Sequence, residues 1–359
     1  MKKINLAICS LLCAAVFANA EGLSKPLPVH TVGRVVEEKS GKDQVSYTYS
    51  WPGVYFEAAF KGTAVDVKLD DDQNFLNIIV DDQQPILLKK PGKIVYSVKN
   101  LSPGDHKIRL EKLTETQWSK GKFEGFYVSG KDSAIKVPEA KRKIEFIGDS
   151  FTVGYGNTSS SRDCTTEQVF ETTNTQLAFA PRVAKHFKAD YQINASSGFG
   201  VVRNYNGGNP DKSLLKLYPY TLYDTSSVYK DKWKPQVIVI GLGTNDFSTP
   251  LNAGERWTSR EALQADYVEN YKKFIKDLRA KHKKAYFILN ASNNHDGEIA
   301  KQVEKVITQL KADGEKRIDS LIFSGLDYGG CHWHPSVKDD EILTKLFIEK
   351  IESNPGIWK

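Results

Sequence analysis

Four short blocks pair glycines with side chains able to do chemistry. The first, Gly148-Asp149-Ser150, ends the apolar run Ile144-Glu145-Phe146-Ile147. A serine on a tight turn at a strand end projects its Oγ, and neighbouring N–H groups then face the oxyanion formed when that hydroxyl attacks a carbonyl. The block is not the Gly-x-Ser-x-Gly elbow of the α/β-hydrolases, and Asp-Ser after a strand is also a common turn or helix cap. The second block, Gly241-Leu242-Gly243-Thr244-Asn245-Asp246, follows Val237-Ile238-Val239-Ile240. The Asn245 amide is a donor that stabilises an oxyanion without adding a titratable group. The bland alternative makes Thr244, Asn245 and Asp246 a helix cap or Asx turn, the role expected of Asp246.

The third block, Ala195-Ser196-Ser197-Gly198-Phe199-Gly200, is a glycine-bearing loop behind Ile193-Asn194. Its backbone N–H groups either serve the oxyanion or merely make a tight connection. The fourth, Gly329-Gly330-Cys331-His332-Trp333-His334-Pro335-Ser336, supplies the base that a nucleophilic serine requires. The other histidines, His30, His106, His186, His282 and His295, stand in ordinary surface or loop contexts. Cys331, His332 and His334 are poor metal ligands together: residues so close in sequence rarely converge, and no fourth ligand is evident. Acyl transfer by a serine and a histidine needs no metal or organic cofactor.

Blocks so far apart in sequence must be gathered by a fold. After the polar segment Lys136 to Lys143, short buried-strand runs (Ile144 to Ile147, Tyr191 to Asn194, Val237 to Ile240, Tyr286 to Leu289, Ser320 to Phe323) alternate with helical patterns over Thr175 to Phe187, Arg260 to His282, Gly297 to Ala312 and Val337 to Ile351. Such alternation predicts an α/β domain with a doubly wound parallel sheet and a site at the carboxyl ends of its strands. The helix before His282 is the clearest, with Ser259 placed to cap it and Leu263, Tyr267, Tyr271, Ile275 and Leu278 three or four apart. From Val32 to Gly130 the runs are short, alternating and β-branched, punctuated by Trp51-Pro52-Gly53, Pro91-Gly92 and Ser102-Pro103-Gly104-Asp105. They predict a β-sandwich of the jelly-roll type. The domains are therefore a signal peptide over 1–20, the β-sandwich over 21–135 and the α/β domain over 136–359.

The leader is read from Lys2 and Lys3, the apolar run Ile4 to Phe17 and the small-residue end Ala18-Asn19-Ala20. It implies a secreted or periplasmic protein. Lipidation at Cys13 is the alternative, disfavoured by bulky Leu11 and Leu12. No later stretch reaches the ~20 apolar residues of a membrane span. Without Lys2 and Lys3 the net charge falls from +6 to +4, spread along the chain, which does not suggest nucleic-acid binding. Of four cysteines, Cys9 and Cys13 leave with the leader, so Cys164 and Cys331 are expected to pair, the alternative being two buried thiols.

In order and spacing the four blocks resemble those of the SGNH hydrolases. The preceding β-domain, the run Ser197-Gly198-Phe199-Gly200 with Arg203-Asn204, and Cys331-His332-Trp333-His334-Pro335 resemble carbohydrate esterase family 2. The resemblance covers nearly the whole mature chain and implies a jelly-roll joined to an SGNH domain. Its implied activity is removal of acetyl groups from plant polysaccharides or acetylated sugars. It implies Ser150 as nucleophile, His334 as general base, and an oxyanion hole of Ser150 N–H, Gly198 and Asn245. Trp333, beside the base, either faces a sugar ring or simply packs. One departure stands out: Cys331 and His332 occupy the positions where an SGNH enzyme usually has its aspartate. The family includes Ser–His dyads whose histidine is held by a main-chain carbonyl; Asp327 is the nearest upstream acid. An esterase acting on bacterial wall glycans or lipid esters, and a carbohydrate-binding protein without activity, are the rival readings.

Overall fold

The computed structural model describes residues 25–359 apart from 41–43, 82, 131 and 231, so the expected signal peptide lies outside the described residues. Between Lys25 and Ile135 the described elements are antiparallel strands in two sheets. In Val65–Asp71 the apolar residues alternate inward, Val65, Val67 and Leu69 being buried while Asp66 and Lys68 are less so. Period-two burial of this kind puts one face of each sheet on the core. There Phe123 packs against Phe56 and Phe126 in tilted pairs, with centroids 4.5 and 4.6 Å apart. The sheets are ordered Val35–Ser40, Gln44–Tyr49, Gly121–Val128, Val65–Asp71, Gly92–Val98 and Ser133–Ile135, Tyr55–Gly62, Gly104–Lys112, Phe75–Val80, Ile86–Lys89.

The second domain has five parallel strands, in the spatial order Ala189–Ala195, Arg142–Gly148, Val237–Gly241, Tyr286–Ser292, Ile318–Phe323. Helices cover both faces, so Ile144, Phe146, Val237, Val239 and Ile288 are almost wholly buried, and the central strand Val237–Gly241 has no polar side chain. The strand order reverses between Arg142–Gly148 and Val237–Gly241, whose carboxyl ends therefore open a crevice suited to a ligand. The sequence places Ser150 and Asn245 just beyond these two ends.

Three local expectations change. The parallel strand begins at Arg142, pairing with Ala189, so the linker stops at Lys141. The helix expected over Thr175 to Phe187 is broken into a 3₁₀ turn, Thr175–Leu177, and an α-helix, Phe179–His186. Pro181 explains the break: in a continuous helix its ring would clash with the Leu177 carbonyl and offer it no N–H. That carbonyl accepts instead from Arg182 Nε at 2.8 Å. Finally, His106 and His282 are buried rather than superficial. The His106 ring is held between Asp81 Oδ2 (2.8 Å) and the Ser102 carbonyl (2.7 Å).

The two domains share an interface rather than a flexible joint. Trp51 of the sandwich is fully buried against Tyr223, 4.5 Å between centroids. Tyr55 Oη donates to Asp190 Oδ1 at 2.8 Å, and the Arg34 guanidinium lies over Tyr218 and Tyr229 at 4.3 and 4.2 Å. Among the described residues no helix is long and apolar enough to cross a membrane.

Candidate active site

Ser150 opens the one-turn helix Ser150–Val153, capped by Asp149, whose side chain accepts from Phe151 N–H. This cap fixes the sharp strand-to-helix turn and leaves Ser150 Oγ at the crevice. His334 Nε2 lies 2.9 Å from that Oγ. The imidazole is set by packing as well as by hydrogen bonds: Tyr155 lies tilted against it, 4.3 Å between centroids, and Phe151 meets it edge-on at 5.8 Å.

The other ring nitrogen, Nδ1, faces two main-chain oxygens, Cys331 O at 2.9 Å and His332 O at 3.2 Å. A carbonyl accepts from N–H only, so Nδ1 carries the hydrogen and Nε2 is left as the base. Asp327 does not reach the ring. Its carboxylate points outward, 76% exposed, and pairs with Arg162 at 3.0 Å. Asp327→Asn is therefore expected to lower kcat about tenfold or less, as for a loop residue outside the proton path. A collapse matching that of His334→Ala in a folded protein would reinstate the acid.

Without a carboxylate beside it, the partly buried imidazole loses hydration on charging, and burial lowers its pKa from 6.5 to about 4. The sign follows: the base must be neutral, so activity persists as pH falls below 6.5 and is lost only near pH 4. The acid limb of kcat/KM, which reports the free enzyme, is expected there. A limb at the ordinary histidine value would contradict this assignment.

The loop carrying His334 is fixed covalently. Cys164 and Cys331 are disulfide-bonded, with Cα atoms 5.5 Å apart. Gly156 lets that loop approach: a Cβ there would lie 2.4 Å from Cys331 Cβ. Cys331 N–H donates to Gly156 O, and His332 N–H to Arg162 O. Asp339 accepts from the N–H groups of Asp327, Tyr328 and Ser336, closing the segment onto the helix Val337–Glu352.

Opposite the base lie the oxyanion candidates. Gly198 has φ +83°, and a Cβ there would meet nothing within 4 Å, because the position faces the open cleft. Among the described residues neither the Ser150 nor the Gly198 N–H has an acceptor. Asn245, 5% exposed, donates from Nδ2 to Phe199 O at 3.0 Å. Asp246 is not the local cap expected for it. Its buried carboxylate accepts from the N–H groups of Val201, Val202 and Arg203, at 3.0, 2.9 and 2.9 Å, and so braces the glycine loop from the next strand.

Ser150, His334, Gly198 and Asn245 line one cleft of about 900 Å³, together with Trp333, Tyr205, Tyr328 and Asn294. Trp333 is 66% exposed, with the Arg162 guanidinium 4.4 Å from its ring. Sequence reasoning missed three residues here. Tyr155 follows the nucleophile closely enough that an aromatic beside the base was open to suspicion. Glu115 and Gln117 come from the β-sandwich, and nothing in their own segment signals a site. Among the described residues no group of three or more His, Cys, Asp or Glu side chains is arranged to hold a metal.

A parallel sheet carrying a serine–histidine pair and free N–H groups at its switch point defines a serine hydrolase of the SGNH class. Comparison with known proteins agrees. Residues 144–347 match the family GDSL-like Lipase/Acylhydrolase, and residues 31–138 match Carbohydrate esterase 2 N-terminal. The chain belongs to carbohydrate esterase family 2 and is a carboxylic ester hydrolase. It is 60% identical over 336 residues, 93% of each chain, to the acetylxylan esterase / glucomannan deacetylase of Cellvibrio japonicus. A solved carbohydrate esterase, whose active site displays divergent catalytic and non-catalytic binding functions, superposes with TM-score 0.90 at 59% identity, over 93% of this chain and 100% of that one. A family two carbohydrate esterase from Clostridium thermocellum, in complex with cellohexaose, gives TM-score 0.76 at 28% identity, over 92% of this chain and 100% of that one.

Proposed function

We propose that this esterase removes O-acetyl groups from plant polysaccharides such as acetylated xylan and glucomannan, through an acetyl-Ser150 intermediate. Ser150 Oγ attacks the acetyl carbonyl carbon as His334 Nε2 takes the hydroxyl proton. The tetrahedral oxyanion is held by the N–H groups of Ser150 and Gly198 and the Asn245 amide. His334 returns the proton to the sugar oxygen as the carbon–oxygen bond breaks, and water then hydrolyses the acetyl-enzyme by the same route. The observation that carries the reaction is the 2.9 Å contact between His334 Nε2 and Ser150 Oγ, inside an open cleft.

The substrate class is supported by the 60% identical acetylxylan esterase / glucomannan deacetylase. Exposed Trp333 and Tyr205 at the cleft offer aromatic faces of the kind on which sugar rings pack. Work outside the cytoplasm, secreted or periplasmic, is part of the proposal and is supported by the disulfide. The test is acetate release from acetylated xylan, acetylated glucomannan and O-acetylated peptidoglycan, with a long-chain lipid ester in parallel. Release from the two plant polymers is expected; turnover confined to peptidoglycan or to the lipid ester would overturn the substrate assignment.

A further inference from the structure

We infer that Gln117 and Glu115 of the β-sandwich are positioning residues for the esterase reaction, holding the peptide that presents Gly198 N–H to the oxyanion. The inference rests on the serine-esterase reading of Ser150. Gln117 Nε2 donates to the Ser197 carbonyl at 2.7 Å and to Ser196 Oγ at 3.0 Å. Glu115 Oε1 accepts from Ser197 N–H at 2.9 Å and lies 3.3 Å from Gln117 Nε2. The Ser197 carbonyl and the Gly198 N–H belong to one planar trans peptide and point in opposite directions. Glu115 and Gln117 line the same cleft as Gly198 and Ser150, so gripping the carbonyl from their wall turns the N–H away from them.

The grip matters because of the residue it acts on. Gly198 sits at φ +83° with open space around its α-carbon, so side-chain bulk does not oppose rotation of the preceding peptide. A flipped peptide would present a carbonyl oxygen to the developing negative charge. Asp246 braces the loop only from Val201 onward. The peptide that matters is held from the other domain. Donation to its carbonyl also polarises the N–H on the same amide, strengthening it as a donor. The sandwich thereby completes the oxyanion site, and its role extends beyond any contact with carbohydrate.

Steady-state kinetics on 4-nitrophenyl acetate, with acetylated xylan as second substrate, test this. Both half-reactions pass through an oxyanion, so Gln117→Ala should lower kcat about 10- to 100-fold with KM moved less than about threefold. A thermal melt checks folding. Gln117→Glu gives an independent reading: a carboxylate repels the Ser197 carbonyl, whereas the protonated acid donates to it. Its activity relative to wild type should therefore rise as pH is lowered from about 8 to about 5. A kcat for Gln117→Ala within about twofold of wild type, a loss carried wholly by KM, or a flat Gln117→Glu ratio would overturn the inference. Labelling of Ser150 by a fluorophosphonate separates the two levels. Labelled wild type with unaltered Gln117 variants removes this inference alone, whereas an unlabelled wild type whose Ser150→Ala variant still turns over removes the underlying reading as well.

Discussion

Ser150→Ala and His334→Ala are each expected to lower kcat for acetate release by roughly 10³-fold or more, with the fold retained. The two act as one unit: without Nε2 the hydroxyl keeps its proton, and without Oγ the base has nothing to activate. Their losses should therefore not add, and the double variant should be no worse than about either single one. Folding should survive because neither side chain fills the core. Ser150 Oγ and His334 Nε2 bond to each other at the cleft, and the turn is capped by Asp149 rather than by the serine. Acetate release close to wild type from either folded variant would remove the nucleophile–base assignment.

Asn245→Ala carries the next largest effect, a kcat loss of about 10²-fold with little change in KM, the size seen when one oxyanion donor is deleted. The amide is neutral, buried and fixed in place, with Nδ2 donating to Phe199 O at 3.0 Å and lying 3.4 Å from Asp149 Oδ2. A fixed dipole costs no reorganisation when charge develops, which is why its removal falls on the transition state and spares substrate binding. The variant also leaves the Phe199 carbonyl without that donor, a loss of about 1–3 kcal/mol, so a melting curve must accompany the kinetics. Less than about a threefold change in kcat would take Asn245 out of the oxyanion hole.

Much of this site was legible before any coordinates because its parts are contiguous. Ser150 and Asn245 each stand just past a largely apolar run that reads as a strand, Gly198 follows the shorter run Tyr191 to Asn194, and parallel strands deliver their carboxyl ends to one edge. The Cys164–Cys331 pair was legible once Cys9 and Cys13 were assigned to the expected signal peptide. The rest depended on partners that sequence does not place together. Cys331 and His332 showed only that an acid was absent; that their carbonyls replace it depends on the turn that brings them beside Nδ1. Asp246 looked like a local cap because capping is what an aspartate in a first turn commonly does, yet the three N–H groups it accepts from lie on another loop. Glu115 and Gln117 were invisible because their chemistry arises only where two domains meet. Pro181 was in plain view, but the apolar period around it masked the break it imposes.

The bond between Cys164 and Cys331 spans a sequence separation of 167 residues and encloses the glycine loop and the asparagine block. A protease that cuts an exposed turn inside that span leaves two polypeptides, yet the piece bearing His334 stays tethered to the piece bearing Ser150. In surroundings where extracellular proteases are abundant, such a nicked enzyme keeps nucleophile and base on one covalent molecule. The vulnerable event is then reduction rather than cleavage: a thiol reductant frees the nicked C-terminal segment, and the base can leave with it.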